Sequence, residues 1–476
     1  MPTLKGKRTA PDSMVSFRNS QGTEATGTLV HLSRNSIVFE VYNPYSIVQL
    51  SEVLTNFHIR RGSRVTYQGK AVVTNLVNTG LLLIATASLV DPWSDLGDLL
   101  PGEQLRGEVA DFVEDWQDSH VSLLPEFKKR VNDIRNFFIE LRRWLEHGEA
   151  VSGVFDSVDS ANGSELAAAF VRDVDSVVTP RIFELYEQFE ETAREVPKRL
   201  LGLHSGYVQR ELHPLVMCSP FVHRSFTKPL GYAGDYQMVN MMLGDPWQGN
   251  STYAKIINSS ALTHDAPRAH RNRIEMLVEI LERETRRCQA ESRPMRALNV
   301  GCGPAVELQR FLEASELCGH LDAELIDFNS ETLDYAREQL LFRLRPKEGQ
   351  ARLTFTHQSV NDLIREATGQ MGGTRSDLDL VYCAGLFDYL GNPTCEALLE
   401  LYLSWVRPGG LVVATNVTPD HSSTGFMTLL LEWNLRLRKA DDMLQLAPPG
   451  GQSDVFSDDT GMNVFLTIRK DAPTVR

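Results

Sequence analysis

The chain has 476 residues, room for two to four domains at about 150 residues each. Hydrophobic residues make up 42% and charged residues 23%, ordinary globular usage that excludes a collagen-like, coiled-coil or wholly disordered chain. The net charge of −14 disfavours nucleic acid as a partner, because such binding rests mainly on neutralising phosphates.

Residues 1–93 run against that acidic trend, with nine Lys/Arg and five Asp/Glu. Near the start, Lys5, Lys7 and Arg8 are followed by no apolar run, so a secretory leader is not expected. No uncharged apolar stretch reaches the ~18 residues of a membrane span, and a cytoplasmic protein is predicted. The six cysteines, Cys218, Cys288, Cys302, Cys318, Cys383 and Cys395, form no C-x-x-C pair and no zinc-ligand spacing. Reduced thiols without a metal site are the expectation.

In chain order, the first region reads as short strands: Thr28–Val30, Ile37–Val41, Ser63–Tyr67, Lys70–Thr74 and Leu81–Ala85. Gln68-Gly69 and Asn78-Thr79-Gly80 punctuate them as turns, and Asp91-Pro92-Trp93 closes the region. This spacing predicts a small all-β barrel over 1–93. Helices follow over 94–203. Phe127, Val131, Ile134, Phe138, Leu141 and Leu145 form one seam, between Pro125 in a first turn and Gly148 as a C-terminal cap. A second helical region, about 164–200, places Leu166, Phe170, Ile182, Leu185, Phe189 and Val196 inward, and Pro180 should kink or split it. The pair reads as antiparallel across the loop 152–163, a spacer or a homodimer surface.

From Arg268 onward strands alternate with helices, the pattern of an α/β doubly wound parallel sheet. Strands are predicted at Arg296–Val300, Ala323–Ile326, Leu353–Thr356, Leu378–Cys383 and Leu411–Thr415. The first runs into Gly301-Cys302-Gly303-Pro304-Ala305 and then a helix. Two glycines there let backbone pass close to a ligand, and the helix start offers unpaired amides. The next strand ends in Asp327, 24 positions after Gly303, placed to accept hydrogen bonds from two ribose hydroxyls. A dinucleotide site would carry a third glycine at Val306, so a pyrophosphate is disfavoured.

Further stations keep the order. His357-Gln358-Ser359-Val360 follows the third strand, Asp379 to Gly385 covers the fourth, and Arg407-Pro408-Gly409-Gly410 precedes the fifth. Together they resemble the motifs of class I S-adenosylmethionine-dependent methyltransferases, which implies a Rossmann-like fold over 291–476 and S-adenosylmethionine as cofactor. Asn299 stands where an acidic residue is usual in that pattern, and Ala305 where a glycine is usual. The resemblance implies cofactor contacts at Tyr232, Arg273, Gly301, Cys302, Gly303, Asp327, Phe328, Gln358, Ser359, Cys383 and Gly385. Arg273 is the candidate for the donor's carboxylate, with Arg271 as its rival.

The segment 204–290 reads as a lid and helical cap, with Lys228-Pro229-Leu230-Gly231-Tyr232-Ala233-Gly234-Asp235-Tyr236 as a flexible stretch rich in glycine and aromatics. Together with Gly385-Leu386-Phe387-Asp388-Tyr389-Leu390 it resembles bacterial 3-hydroxypalmitate methyl ester biosynthesis proteins, some of which carry an N-terminal PilZ-like domain. That implies a small-molecule or acyl acceptor and a hydroxy fatty acid methyl ester as product. A carboxylate acceptor is already nucleophilic at neutral pH. A hydroxyl or amine would need a base, with Tyr232, Asp388 or His264 as candidates. Tyr236, Met242, Asn416 and Trp433 are the acceptor-side candidates. Modification of another metabolite or a protein, and a donor-binding adaptor without turnover, remain alternatives.

A PilZ domain that binds cyclic diguanylate uses R-x-x-x-R followed by D/N-x-S-x-x-G. Here Arg60-Arg61-Gly62-Ser63-Arg64 supplies the arginines, but His31-Leu32-Ser33-Arg34-Asn35-Ser36 lies upstream and lacks the acidic residue and the glycine. Cyclic diguanylate is therefore not expected as a partner.

Overall fold

The computed structural model describes residues 13–472, except 34, 42–47, 62–63, 79–81, 92–105, 108, 111–112, 115–116, 118–121, 153–160, 345–350, 368–374 and 420–422. The expected turn at Thr79-Gly80, the closing Pro92-Trp93 and most of the inter-helix loop lie outside the described residues. So do Arg34, Gly62 and Ser63 of the segments weighed for nucleotide binding. Contacts divide the chain into two units. One comprises Met1–Ala233, Gly244–His264 and Ser422–Asn434; the other comprises Gly234–Leu243, Asp265–His421 and Leu435–Arg476.

The first unit begins with six strands: β1 (Ser13–Arg18), β2 (Glu24–Leu32), β3 (Ser36–Val41), β4 (Val53–Arg61), β5 (Arg64–Asn78) and β6 (Leu83–Leu89). They close in the order β1-β2-β3-β6-β5-β4 with every pairing antiparallel, a barrel consistent with a PilZ-like domain. Alternate residues such as Val15, Phe17, Ile37, Phe39, Phe57 and Ile59 fill its interior. Each such side chain contributes roughly 1.5–3 kcal/mol by leaving water.

The expected turn at Gln68-Gly69 is instead continuous strand within β5. The Tyr67 side chain folds over Gly69, where a Cβ would sit 2.7 Å from the phenol oxygen. The glycine there makes room for a ring rather than reversing the chain. β1 and β4 have no counterpart among the predicted strands.

Helices α1 (Pro125–Ser152) and α2 (Ala161–Arg194) follow, and Phe127, Val131, Ile134, Phe138, Leu141 and Leu145 are all buried as their spacing predicts. The expected cap at Gly148 and the inward placing of Leu166 both fail, since α1 continues past Gly148 and Leu166 faces outward at 56% exposed. α2 runs through Pro180 as one helix, so the proline does not split it. The unit continues with α3 (Leu201–Val216) and α4 (Pro220–Thr227).

The barrel rim is laced to two later segments of its own unit. The Val53 amide donates to the Gly231 carbonyl at 2.7 Å, and the Ser51 hydroxyl donates to the Asn434 carbonyl at 2.9 Å. Behind them, buried Glu52 accepts from the Ser20 and Gln49 amides.

The second unit contains α5 (Tyr236–Leu243), while α6 (Thr252–Thr263) belongs to the first. Then come α7 (Asp265–Ala290), β7 (Met295–Val300), α8 (Val306–Ala314), β8 (Leu321–Asp327), α9 (Ser330–Leu344), β9 (Arg352–His357) and α10 (Val360–Ala367). β10 (Leu378–Cys383), α11 (Asn392–Trp405), β11 (Val406–Val417), α12 (Ala440–Gln445), β12 (Gly451–Ser457) and β13 (Asn463–Lys470) complete it.

The sheet order is β12-β13-β11-β10-β7-β8-β9. β9, β8, β7, β10 and β11 are mutually parallel, and β13 is antiparallel to both its neighbours. The sheet is therefore mixed rather than purely parallel, and it reverses direction of growth between β7 and β10. Ligands bind at such a switch point, beyond the carboxyl ends of the strands. Apolar clusters cover both faces, one built around Leu308, Phe311 and Leu340, the other around Leu398, Tyr402 and Trp405.

Candidate functional site

β7 and β10 are neighbours, and the loops leaving them make the centre of the candidate site. Gly301 and Gly303 have φ of +69° and +53°, and nothing lies within 4 Å of a Cβ added to Gly303. The turn is tied to the end of β8, since the Gly301 and Cys302 amides both donate to the Ile326 carbonyl, at 2.8 and 2.9 Å. Ala305, φ +50°, starts α8.

Asp327 ends β8 and is 5% exposed. Its Oδ2 accepts from the Gly303 amide at 3.1 Å and its Oδ1 from the Asn329 amide at 2.9 Å. Burial pushes its pKa up to about 6, against the lowering effect of those amides. Phe328 follows, its carbonyl accepting from His357 Nε2 at 2.7 Å. The Gln358 amide donates to the Asp327 carbonyl, while its side chain accepts from Arg375. Ser359 and Asp362 exchange hydrogen bonds across the start of α10, so Ser359 has a capping role there.

At the end of β10, Cys383 is fully buried and burial raises its thiol well above the ordinary range. Cys302 is likewise pushed up, so neither is a reactive thiolate. Gly385 has φ +84°, and a Cβ there would stand 3.2 and 3.3 Å from the two Nη atoms of Arg273. Arg273, on α7, is 8% exposed. Among the described residues its one hydrogen-bond partner is His270, whose Nδ1 accepts from Nη2 at 2.7 Å. Its rival Arg271 turns elsewhere and donates to the Met242 carbonyl at 2.9 Å.

Asp388 Oδ1 accepts from the Val417 amide at 2.7 Å, and burial lifts its carboxyl to about 6. Asn416 is buried, donating to the Arg436 carbonyl and accepting from Arg438. Tyr236 donates to Glu331 at 2.9 Å and its ring lies 4.7 Å from Tyr335. Met242 is buried on α5. Asp379 sits at the opposite end of β10, held by Arg293 at 2.7 Å and the Arg296 amide at 2.9 Å.

Tyr232, His264 and Trp433 belong to the first unit. Tyr232 and Trp433 are half-buried, the Trp433 amide donating to the Met427 carbonyl. His264 shares a 2.8 Å hydrogen bond with the Ser423 hydroxyl and stands edge-on to Phe183.

Two residues of the second unit were missed by sequence reasoning. Glu307, in the first turn of α8, is 7% exposed. Its Oε1 accepts from Asn299 Nδ2 and from the Tyr382 hydroxyl, both at 2.9 Å. Burial raises its pKa, while Tyr382, Arg273 and Asn299 pull the other way. A carboxylate thus sits beneath the turn, supplied from the helix rather than from position 299. The available signal was Asn299 itself, an amide in need of an acceptor nearby. The second is His270, one helical turn before Arg273.

No protein-family model and no curated protein matches the chain. Among solved structures it is similar to a possible exported protein from Bordetella parapertussis, at 19% identity over 53% of this chain and 86% of that one, TM-score 0.41. It is also similar to magnesium protoporphyrin IX methyltransferase from Synechocystis PCC 6803 with bound S-adenosylhomocysteine (12% identity, 52% and 98% covered, TM-score 0.34). An O-methyltransferase family protein from Burkholderia thailandensis is a third (14% identity, 57% and 73% covered, TM-score 0.33). The strand order of the second unit is that of a Rossmann-like methyltransferase fold. Among the described residues no helix is long and apolar enough to cross a membrane.

Proposed function

We propose that the chain is an S-adenosylmethionine-dependent methyltransferase acting on the carboxylate of a small or acyl acceptor, with a hydroxy fatty acid methyl ester as product. One observation carries the reading. A buried carboxylate, Asp327, and a buried guanidinium with a single neutral partner, Arg273, both lie at the carboxyl edge served by the open Gly301–Gly303 turn. A buried cation short of partners is costly unless an anion completes it. The cofactor's ribose diol suits Asp327, and its amino-acid carboxylate suits Arg273.

These residues fit the group. Gly301 and Gly303 would leave space for its amino-acid tail, and Phe328, Gln358 and Ser359 would flank its base. Cys302, Cys383 and Gly385 would line the end nearest the sulfur. Bound, the cofactor supplies a methyl group on a positively charged sulfur. The chain's part is to bind and orient, because in-line transfer depends on alignment. Asp327, Glu307 and Asp388 each already accept hydrogen bonds within the fold. That favours an acceptor ionised at neutral pH, which needs no base.

Calorimetry with S-adenosylhomocysteine tests the site. Wild type should bind, and Asp327→Ala should bind at least about tenfold more weakly, the loss of one charge-assisted hydrogen bond or more. No heat with wild type, or equal affinity in the variant, would overturn the assignment. Mass spectrometry with isotope-labelled donor, comparing 3-hydroxy fatty acids with amines and peptides, tests the acceptor; label appearing in the amines or peptides alone would reject it.

A further inference from the structure

Arginine has donors only, so the 2.7 Å contact from Arg273 Nη2 requires a lone pair on His270 Nδ1. The imidazole is therefore neutral, with its proton on Nε2. Burial, then the charges of Arg273 and Arg271, hold His270 well below the ordinary histidine range, in agreement with that requirement. The two residues are three apart on α7 and so share one helix face. Asp388, Glu307 and Asp458 act on Arg273 through space, yet none of them hydrogen-bonds or ion-pairs with it. The guanidinium also lies against Gly385, which has no side chain to displace it.

We propose that His270 is a positioning residue: it fixes the Arg273 guanidinium against Gly385 so that the remaining N–H groups are presented, already ordered, to the cofactor's carboxylate. This rests on the cofactor reading above. A free arginine side chain has many rotamers to lose on binding, and a residue that removes them beforehand raises affinity without touching the ligand. Neutral histidine suits the task, since a carboxylate there would pair with Arg273 and compete with the ligand.

The test compares two ligands on wild type, on three single variants and on one double variant. S-Adenosylhomocysteine carries the amino-acid carboxylate; 5′-methylthioadenosine keeps the adenosine and sulfur but lacks it. His270→Ala should weaken S-adenosylhomocysteine about tenfold and leave 5′-methylthioadenosine unchanged. His270→Asn, whose Oδ1 takes the place of Nδ1, should recover most of the loss. Adding His270→Ala to Arg273→Ala should cost nothing further. Equal losses on both ligands, no loss on either, or no rescue by asparagine would overturn the positioning role while leaving the cofactor site intact. Failure of wild type to bind S-adenosylhomocysteine would instead remove the cofactor reading itself.

Discussion

Gly303→Ala separates backbone strain from occupation of the site. Gly303 has φ +53° with open space where a Cβ would go. An alanine there meets no atom of the protein, and the N–H that Asp327 accepts is retained. The cost to the fold is the left-handed penalty alone, about 1 kcal/mol, or a fall in Tm of roughly 2–4 °C. Gly409, at φ +75° and equally open, supplies the control, because Gly409→Ala carries the same penalty in a different turn. The two variants should part company on ligand binding. A methyl forced into the space meant for the cofactor's tail costs about 2 kcal/mol, the range seen for overpacking, and roughly thirtyfold in affinity. Scanning calorimetry gives the first quantity and titration with S-adenosylhomocysteine the second. Wild-type affinity in Gly303→Ala, or an equal loss in Gly409→Ala, would refute the claim that this turn faces the ligand.

Two further outcomes follow from the charges around the turn. Asn299→Asp places a second carboxylate against Glu307 where an amide now donates, and should destabilise the protein by about 3 kcal/mol in urea. Adding Glu307→Gln should restore most of it, and an unchanged midpoint in the single variant would show that Glu307 is not held as described. Asp327 has a folded pKa raised from 3.8 to about 6, so between those values the folded chain holds more protons than the unfolded one. Its contribution to stability therefore declines as pH rises through that window. Ligand hydroxyls need the ionised form, so affinity should move the opposite way. S-Adenosylhomocysteine should bind about tenfold more weakly at a pH one unit below the carboxyl's pKa, and a flat profile would disconnect Asp327 from the ligand.

The parallel core of the second unit was legible because its five strands are short apolar or alternating runs bounded by helix or turn signals. β13 was overlooked although its Val464-Phe465-Leu466 run is buried between two partner strands, and β12 was not legible. Gly451–Ser457 carries Gln452, Ser453 and Asp454, and an edge strand with one partner has no need of a continuous apolar run. The barrel shows the opposite error. Glycine at 69 was read as punctuation, but a glycine inside a strand also marks close approach of another group, here the ring of Tyr67. Pro180 was read as a kink or a split, and α2 continues through it without splitting. Burial of Ile182, Leu185 and Phe189 beyond it outweighs the roughly 3 kcal/mol a helical proline costs.

The site divides along the same line, between what local spacing encodes and what only packing creates. Gly301, Gly303 and Asp327 are separated by one strand–helix–strand unit, so their meeting follows from chain order. Glu307 answers to residues that spacing does not connect to it, whereas His270 lies one helical turn from Arg273 and was within reach of spacing alone. Glu307 is drawn under the turn by Tyr382 on a neighbouring strand, and its charge is opposed by Arg273 from a helix that precedes the sheet. Asn299 makes sense only in that company. An amide donates to the carboxylate already present, whereas an acid at the same position would repel it. The departure from the usual motif is thus one half of a two-residue exchange, and reading it as decay would require Glu307 to be without its two donors. Substituting either partner alone should therefore do more harm than exchanging both, because the pair carries one carboxylate between them and the site is built around that single charge.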